Sequence, residues 1–260
     1  LPKKDLAATV HQLAQKCPPD QQEASARLML RSVAMAAQEK TTGIDKAPAL
    51  DRLLALLADA PRVRENSDIF INYANDIVAV LTKVGSAQRS SLLVALNTAL
   101  DKLSDDASLS KADQLGAVQA KVALASMDAP KDVKPELSAE LVAQAQAAAN
   151  KADTSSTDKY ERQAVIPSAA HLLSDIGLVD ASDAMLKAEL PKAVSPYYHM
   201  LVLASNAKQR GDTATSLDWS EKAYAGSIGP ATRLQWGSGY VQKLIAMAPQ
   251  DGERIEKAAS

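Results

Sequence analysis

Residues 198–224 read YHMLVLASNAKQRGDTATSLDWSEKAY and give the clearest indication of the architecture. Apolar residues recur at three- and four-residue steps on both sides of Gly211-Asp212, which is the pattern of two helices joined by a tight turn. Glycine suits such a turn because it adopts the left-handed backbone that ends many helices. A second glycine, Gly177, lies 34 residues earlier, and a serine follows each glycine after five positions, at Ser182 and Ser216. The stretch therefore predicts a helical hairpin that repeats along the chain.

Helical patterns continue outward over nearly the whole chain. Of the 260 residues, 49 are Ala, whereas 10 are Gly and nine are aromatic, and no stretch alternates apolar and polar residues as a strand would. We therefore predict an all-α fold of about thirteen helices in antiparallel pairs, arranged as an α-solenoid. The predicted helices cover residues 4–15, 23–39, 50–58, 68–84, 86–103, 111–127, 135–152, 158–176, 181–190, 196–210, 213–225, 230–247 and 252–258.

A polar run at residues 150–158, NKADTSSTD, interrupts the helical pattern and is typical of a linker. On this basis we predict two halves. Residues 1–152 would form irregular helical hairpins, and residues 153–260 would form a helical-repeat half. One continuous solenoid over the whole chain is the alternative to this division.

Composition excludes several classes of function. The 29 basic and 31 acidic residues give a net charge of −2, and neither half has the basic excess typical of nucleic-acid binding. The single cysteine, Cys17, excludes an internal disulfide and any multi-cysteine metal site. The three histidines are scattered, so we expect no metal and no cofactor. The longest apolar stretches are much shorter than the roughly 20 residues of a membrane-spanning helix, so we expect no membrane span.

The hairpin around Gly211 resembles a tetratricopeptide repeat. Ala204 and Ser216 match the small residues of that family, Gly211-Asp212 matches its turn, and Leu217 follows the second small residue as it does there. Small residues at these positions let the two helices cross closely. The resemblance implies a stack of helical hairpins that binds a protein or a peptide.

Several residues depart from the family pattern. Residues 163–194 match it less well than the hairpin around Gly211, because Glu189 stands where the family prefers Ala and Pro167 lies inside the first helix. Ser220 takes the place of an aromatic residue. A following repeat would lack its turn glycine, since Ile245 falls at that position. The match is therefore best in one unit.

In tetratricopeptide proteins, one face of each first helix lines a groove that holds an extended peptide. The resemblance implies that Lys208 pairs with a peptide carboxylate and that Gln209 bonds to a peptide backbone. A solvated face without a ligand is the alternative. The candidate peptide-binding residues are Tyr198, Leu201, Ser205, Lys208 and Gln209 in the best unit, His171, Ser174 and Asp175 in the weaker unit, and Gln235 and Gln242 in the last.

A looser resemblance concerns three short runs, at residues 160–166, 195–198 and 229–237. They are similar to the helical region that follows a thioredoxin-fold domain in some bacterial thioredoxin-family proteins. That resemblance implies a scaffold or docking region for a thioredoxin-fold domain of the same polypeptide, in a periplasmic or otherwise exported setting. The redox-active cysteine pair would lie outside residues 1–260, because this sequence has no CxxC motif.

Other residues have an ordinary interpretation beside a functional one. Six of the nine aromatic residues lie within residues 197–240, either as a recognition surface or, as we favour, as wedges between stacked helices. Within this group Tyr198 is the best candidate for recognition. Cys17 is interpreted as incidental, and His171 and His199 as partly buried, hydrogen-bonded residues rather than catalytic bases.

Taken with the scarcity of catalytic residue types, these patterns favour a non-catalytic helical-repeat module that binds a protein or peptide. The alternative is the docking region of a thiol–disulfide exchange protein whose CxxC domain lies elsewhere. An enzyme that acts through residues 1–260 alone has almost no support in the sequence.

Overall fold

The structure is a computed structural model and describes residues 5–40, 43–130 and 135–260. Over these ranges it contains fourteen α-helices, one 3₁₀ helix and no strand, which confirms the prediction of an all-α fold. The helices are α1 Leu6–Gln15, α2 Gln22–Glu39, α3 Lys46–Leu57, α4 Ala60–Glu65, α5 Ser67–Leu81, α6 Ala87–Asp105, α7 Lys111–Ser126, α8 Ala139–Ser155, α9 Lys159–Asp175, α10 Val179–Glu189, α11 Pro196–Gln209, α12 Thr213–Ala225, α13 Pro230–Met247 and α14 Gly252–Ala259. The 3₁₀ helix, Leu190–Lys192, follows α10.

The sequence pattern misses one helix, the six-residue α4. Asp59 caps it, because its side chain accepts a hydrogen bond from the backbone N–H of Arg62 at 3.5 Å, and Pro61 stands in its first turn. An acidic cap followed by proline is a helix-start signal, but six residues are too few to show helical periodicity.

Other helix ends move by a few residues. The polar run that predicts a linker is helical as far as Ser155, because α8 continues through most of it. The predicted start of the first helix, Lys4, lies outside the described residues.

The chain forms two compact units, Leu1–Leu141 and Val142–Ser260. The predicted division after residue 152 stays a prediction. In the first unit, α5 packs against α2, α6 and α7, and its Phe70 is fully buried in a core that also contains Leu30 and Leu96. Each fully buried side chain of this kind stabilises the fold by about 1.5–3 kcal/mol.

Helices of the second unit pack in consecutive pairs, α9 with α10, α11 with α12 and α13 with α14. The first two pairs turn in the same way. Gly177 and Gly211 both have a positive φ, +87° and +77°. One residue after each glycine, a backbone N–H reaches back to close the helix end, from Leu178 to the Leu173 carbonyl at 2.8 Å and from Asp212 to the Ala207 carbonyl at 2.9 Å. The 34-residue spacing therefore corresponds to a repeated local structure.

Small residues lie where the paired helices cross. Ala170 and Ala204, again 34 residues apart, are both fully buried, and so are Ser182 and Ser216 to within 1%. The Ser216 hydroxyl donates to the Ala204 carbonyl at 2.7 Å, which brings α12 against the backbone of α11. A larger residue at either position would separate the two helices.

The third pair begins in register and then departs from it. Pro230 opens α13 and lies 34 residues after Pro196, which opens α11. Because Ile245 stands where the turn glycine would fall, α13 continues to Met247 and is 18 residues long against 14 for α11. The departure expected at Ile245 is therefore present as an extra helical turn.

Candidate functional site

Three aromatic rings meet where the first turns of α11 approach α13. Tyr198 and Trp236 contact edge to face, with ring centroids 5.9 Å apart and planes at 88°. Tyr197 lies 4.7 Å from Tyr198 and 6.4 Å from Trp236. Tyr197 and Trp236 are half-buried, whereas Tyr198 keeps 39% of its surface exposed. The cluster thus joins two helices and still offers an aromatic ring to solvent.

The predicted residues of α11 form one stripe that starts at this cluster. Tyr198, Leu201, Ser205 and Lys208 follow one another at steps of three and four residues, so they share a face of the helix. Leu201 is half-buried, and the others, together with Gln209, are exposed. The stripe therefore runs from an aromatic end to a basic and amide end.

On the side of α9, a direct contact extends this stripe. The Ser174 hydroxyl donates to the Oε1 atom of Gln209 at 2.9 Å. His171 and Asp175 lie beside Ser174 on the same helix and reach solvent. The surrounding protein raises the pKa of the Asp175 carboxyl, and nearby His171 acts in the opposite direction. An exposed carboxyl with this shift occupies a recessed position.

On the side of α13, Gln235 and Gln242 are exposed, as the sequence predicts, and Gln235 directly precedes Trp236. Next to Gln242, the half-buried Lys243 donates from Nζ to the Ser220 hydroxyl at 3.0 Å. Burial lowers the pKa of Lys243, and the charge of Lys208 lowers it further. Two ammonium groups of neighbouring first helices therefore act on each other.

We call this surface the first-helix face, since it combines exposed residues of α9, α11 and α13. Trp236 and Lys243 belong to it, and sequence reasoning missed both. Lys243 stands 35 residues after Lys208, so the repeat spacing could have revealed it. The face consists of His171, Ser174, Asp175, Tyr197, Tyr198, Leu201, Ser205, Lys208, Gln209, Gln235, Trp236, Gln242 and Lys243.

A buried ion pair lies near the start of α11. The Nε and Nη2 atoms of Arg162 donate to the carboxylate of Glu189 at 2.7–3.0 Å, and that carboxylate is 4% exposed. Arg162 also binds the Asp153 carboxylate and the backbone carbonyls of Asp153 and Ser156, at 2.7–2.8 Å. Burial opposes ionisation of Glu189, but Arg162 and then Lys192 outweigh it and hold its pKa below the ordinary value. Glu189, which departs from the family pattern, is thus the partner of Arg162.

His199 corrects the interpretation of the histidines. It is fully buried, and neither ring nitrogen has a hydrogen-bond partner among the described residues. Burial lowers its pKa, against the opposing effects of Glu189 and the nearby Ser195 backbone. The expectation of a partly buried, hydrogen-bonded ring is therefore wrong for His199, while His171 is exposed.

The remaining aromatic residues of the cluster within 197–240 hold the second unit together. Lys222 lies 4.5 Å over the Trp219 ring, and Arg233 lies 5.1 Å over the Tyr224 ring. The hydroxyl of buried Tyr240 accepts from Nε of Arg254 at 2.6 Å. The favoured interpretation as wedges between helices describes this part of the group, whereas Tyr198 faces solvent.

Metal and membrane binding find no support in the described ranges 5–40, 43–130 and 135–260. They contain no group of three or more His, Cys, Asp and Glu residues that could hold a metal ion. Cys17 is half-buried. In the same ranges, no helix combines the length and apolar character that a membrane crossing needs.

Comparisons with protein-family models, with curated proteins and with solved structures find no match to this chain. Its function is therefore inferred from the first-helix face itself.

Proposed function

We propose that the second unit is a non-catalytic module that binds a protein or peptide on its first-helix face. The observation that carries this proposal is the exposed Tyr198 ring, held edge to face by Trp236 at one end of a stripe that ends in Lys208. Because Trp236 fixes the Tyr198 ring, contact with a ligand costs little additional side-chain entropy.

The polar end of the face supplies matching hydrogen-bond donors. Ser174 occupies the Oε1 atom of Gln209, which orients the amide and leaves its two N–H donors for a backbone carbonyl of the ligand. Lys208 forms no ion pair within 4.0 Å of another described residue, as the ion pairs of the second unit involve other cations. A ligand with an apolar or aromatic residue for Tyr198 and a carboxylate for Lys208 fits this arrangement.

A peptide array screened with the full chain tests the proposal. The double variant Tyr198→Ala, Lys208→Ala is expected to lose most captured peptides, because it removes both ends of the stripe. The matched control is Tyr160→Ala, Lys222→Ala, which removes an exposed tyrosine and a lysine outside the face and should retain binding. If the first variant captures every peptide that the wild type captures, the first-helix face is not the binding surface.

The repeated turns at Gly177 and Gly211 and the buried small residues between paired helices support a tetratricopeptide-like solenoid as the architecture behind this role. The groove of such a solenoid would be the first-helix face. Small-angle scattering of the second unit within the full chain would test the solenoid, which predicts an elongated rather than a spherical particle.

The second candidate function, docking to a thioredoxin-fold domain in an exported protein, draws on the looser resemblance. The residues that carry it have roles that hold the fold: Arg162 binds Glu189, and Tyr197 contacts Trp236. The similarity therefore supports a shared helical scaffold more than a shared chemistry. A natural reading frame with a CxxC motif upstream of these residues would support this function, and a frame without one would remove it.

A further inference from the structure

His199 occupies an unusual position directly beneath the aromatic end of the first-helix face. It follows Tyr198 in the first turns of α11 and is fully buried without a hydrogen-bond partner among the described residues. The indole N–H of Trp236, on the opposite side of the cluster, is also buried and unpartnered. Most buried polar groups are hydrogen-bonded, so two unpartnered groups around one contact mark a place where packing is easily disturbed.

The charged groups that act on the His199 ring come from neighbouring helices. Glu189 of α10 favours its protonation, and Arg162 of α9 opposes it. Glu189 also binds Lys192 of the 3₁₀ helix at 3.3 Å, and Arg162 binds Asp153 of α8 at 2.7 Å. Both charges nearest the ring are thus already neutralised by other partners.

We propose that His199 is a proton-sensitive latch for the first-helix face: its protonation releases the first turn of α11 and separates Tyr198 from Trp236, which weakens ligand binding. This regulation rests on the proposed function of the face.

A protonated His199 cannot remain in its present position at low cost. An imidazolium ion without a partner is expensive to bury, and the positive end of the α11 dipole lies beside it. Pairing with Glu189 would displace Arg162, which would also free the carbonyls of Asp153 and Ser156. Exposure to water requires only that the first turn of α11 opens, and that turn carries Tyr197 and Tyr198. Opening therefore disrupts the aromatic cluster.

Trp236 fluorescence reports this opening. In the variant Trp219→Phe, Trp236 is the single tryptophan of the chain, because the sequence contains two. Between pH 8 and pH 5 its emission is expected to shift to longer wavelength, with a midpoint below the ordinary histidine value of about 6.5. The shift should disappear when His199→Leu is added and should persist with His171→Ala or His11→Leu, the controls for an exposed and a buried histidine. If the shift survives His199→Leu, or if Trp236 emission stays constant down to pH 5, the latch is overturned.

Two further measurements keep this proposal separate from the proposed function. Proton NMR of the wild-type His199 ring follows its titration without any substitution, and a midpoint at or above 6.5 would overturn the latch. The tightest peptide from the array is then measured at pH 7.5 and pH 5.5. Weaker binding at pH 5.5, abolished by His199→Leu, supports the regulation, and equal affinity at both values overturns it. If no peptide binds at pH 7.5, the proposed function fails, and with it the regulation, whatever Trp236 reports.

Discussion

Arg162 and Glu189 join the start of α9 to the end of α10 through a bidentate, buried ion pair. Both carboxylate oxygens accept from Nε of Arg162 at 3.0 Å, and one also accepts from Nη2 at 2.7 Å. Arg162 completes its hydrogen bonds on the last turn of α8 and the loop that follows. One guanidinium therefore ties three consecutive helices together next to His199.

Removal of one partner should unfold the second unit at lower denaturant. Arg162→Met leaves the Glu189 carboxylate buried and uncompensated, which is expected to cost about 3–5 kcal/mol in the free energy of unfolding. Arg162→Met with Glu189→Leu should cost less than Arg162→Met alone, because no charge then remains buried. Guanidinium unfolding followed by tryptophan fluorescence measures this, since both tryptophans lie in the second unit. Lys192→Met removes an exposed partner of the same carboxylate and serves as the control, with an expected loss below about 1 kcal/mol. An equal loss for Lys192→Met and Arg162→Met would contradict the prediction.

The turn glycine of the best repeat unit is required for its backbone and not for space. Gly211 has φ +77°, and a Cβ atom added to it would meet no atom within 4 Å. Gly211→Ala is therefore expected to cost about 1–2 kcal/mol through the left-handed backbone alone. Gly211→Asn should cost less, because asparagine tolerates this conformation. Fluorescence-detected unfolding of the three proteins gives the order, and an alanine variant as stable as the wild type would refute it.

Much of the helical fold can be predicted from sequence because its signals are local. Gly211 ends a helix through its own backbone, and Ser110 caps α7 by accepting from the Asp113 N–H at 3.1 Å, as its position suggests. Both features depend on residues within a few positions in the chain. The six-residue α4 gave too short a pattern for the same reasoning.

Features of the candidate site that depend on distant residues escape such reasoning. Glu189 reads as a defect in the repeat until Arg162, 27 positions earlier, supplies its partner. Trp236 joins Tyr198 because α13 starts in the register of α11, which follows from packing of whole hairpins. The apolar helix around His199 indicates that its side chain faces inward, but not that its nitrogens lack partners there.

Two glycines inside α13 offer a matched pair. A Cβ atom on Gly237 would lie 2.9 Å from the Tyr224 ring, whereas one on Gly239 would meet nothing within 4 Å. Alanine favours a helix interior over glycine by about 1 kcal/mol, so Gly239→Ala is expected to stabilise the protein by up to that amount. Gly237→Ala should instead destabilise it, because the Tyr224 ring is confined between Arg233 and Tyr240. Thermal unfolding of the two variants tests this contrast. Equal shifts of Tm in the same direction would show that the close approach of Tyr224 does not constrain α13.

In the first unit, Arg64 of α4 binds the Asp106 carboxylate through Nε and Nη2, both at 2.8 Å. These bonds and those from Ser108 hold the pKa of Asp106 well below its ordinary value. A carboxyl whose pKa falls on folding stabilises the protein above its unfolded value of about 4, and this contribution is lost as the pH falls further. Arg64→Met should therefore be less stable than the wild type at pH 6, and the difference should narrow steadily towards pH 2.5.

Urea unfolding at several pH values, followed by far-ultraviolet circular dichroism, measures this difference. The transition belongs to the first unit where tryptophan fluorescence stays constant, because neither tryptophan lies in that unit. Arg62→Met is the control: its ion pairs with Glu23 and Glu65 are longer, at 3.8 and 3.5 Å, and each is single. Its effect should be small and nearly independent of pH, because long, single pairs at the surface contribute little. A gap between wild type and Arg64→Met that is as wide at pH 2.5 as at pH 6 would mean that Arg64 acts through packing against α6, and not through the ionised carboxyl of Asp106.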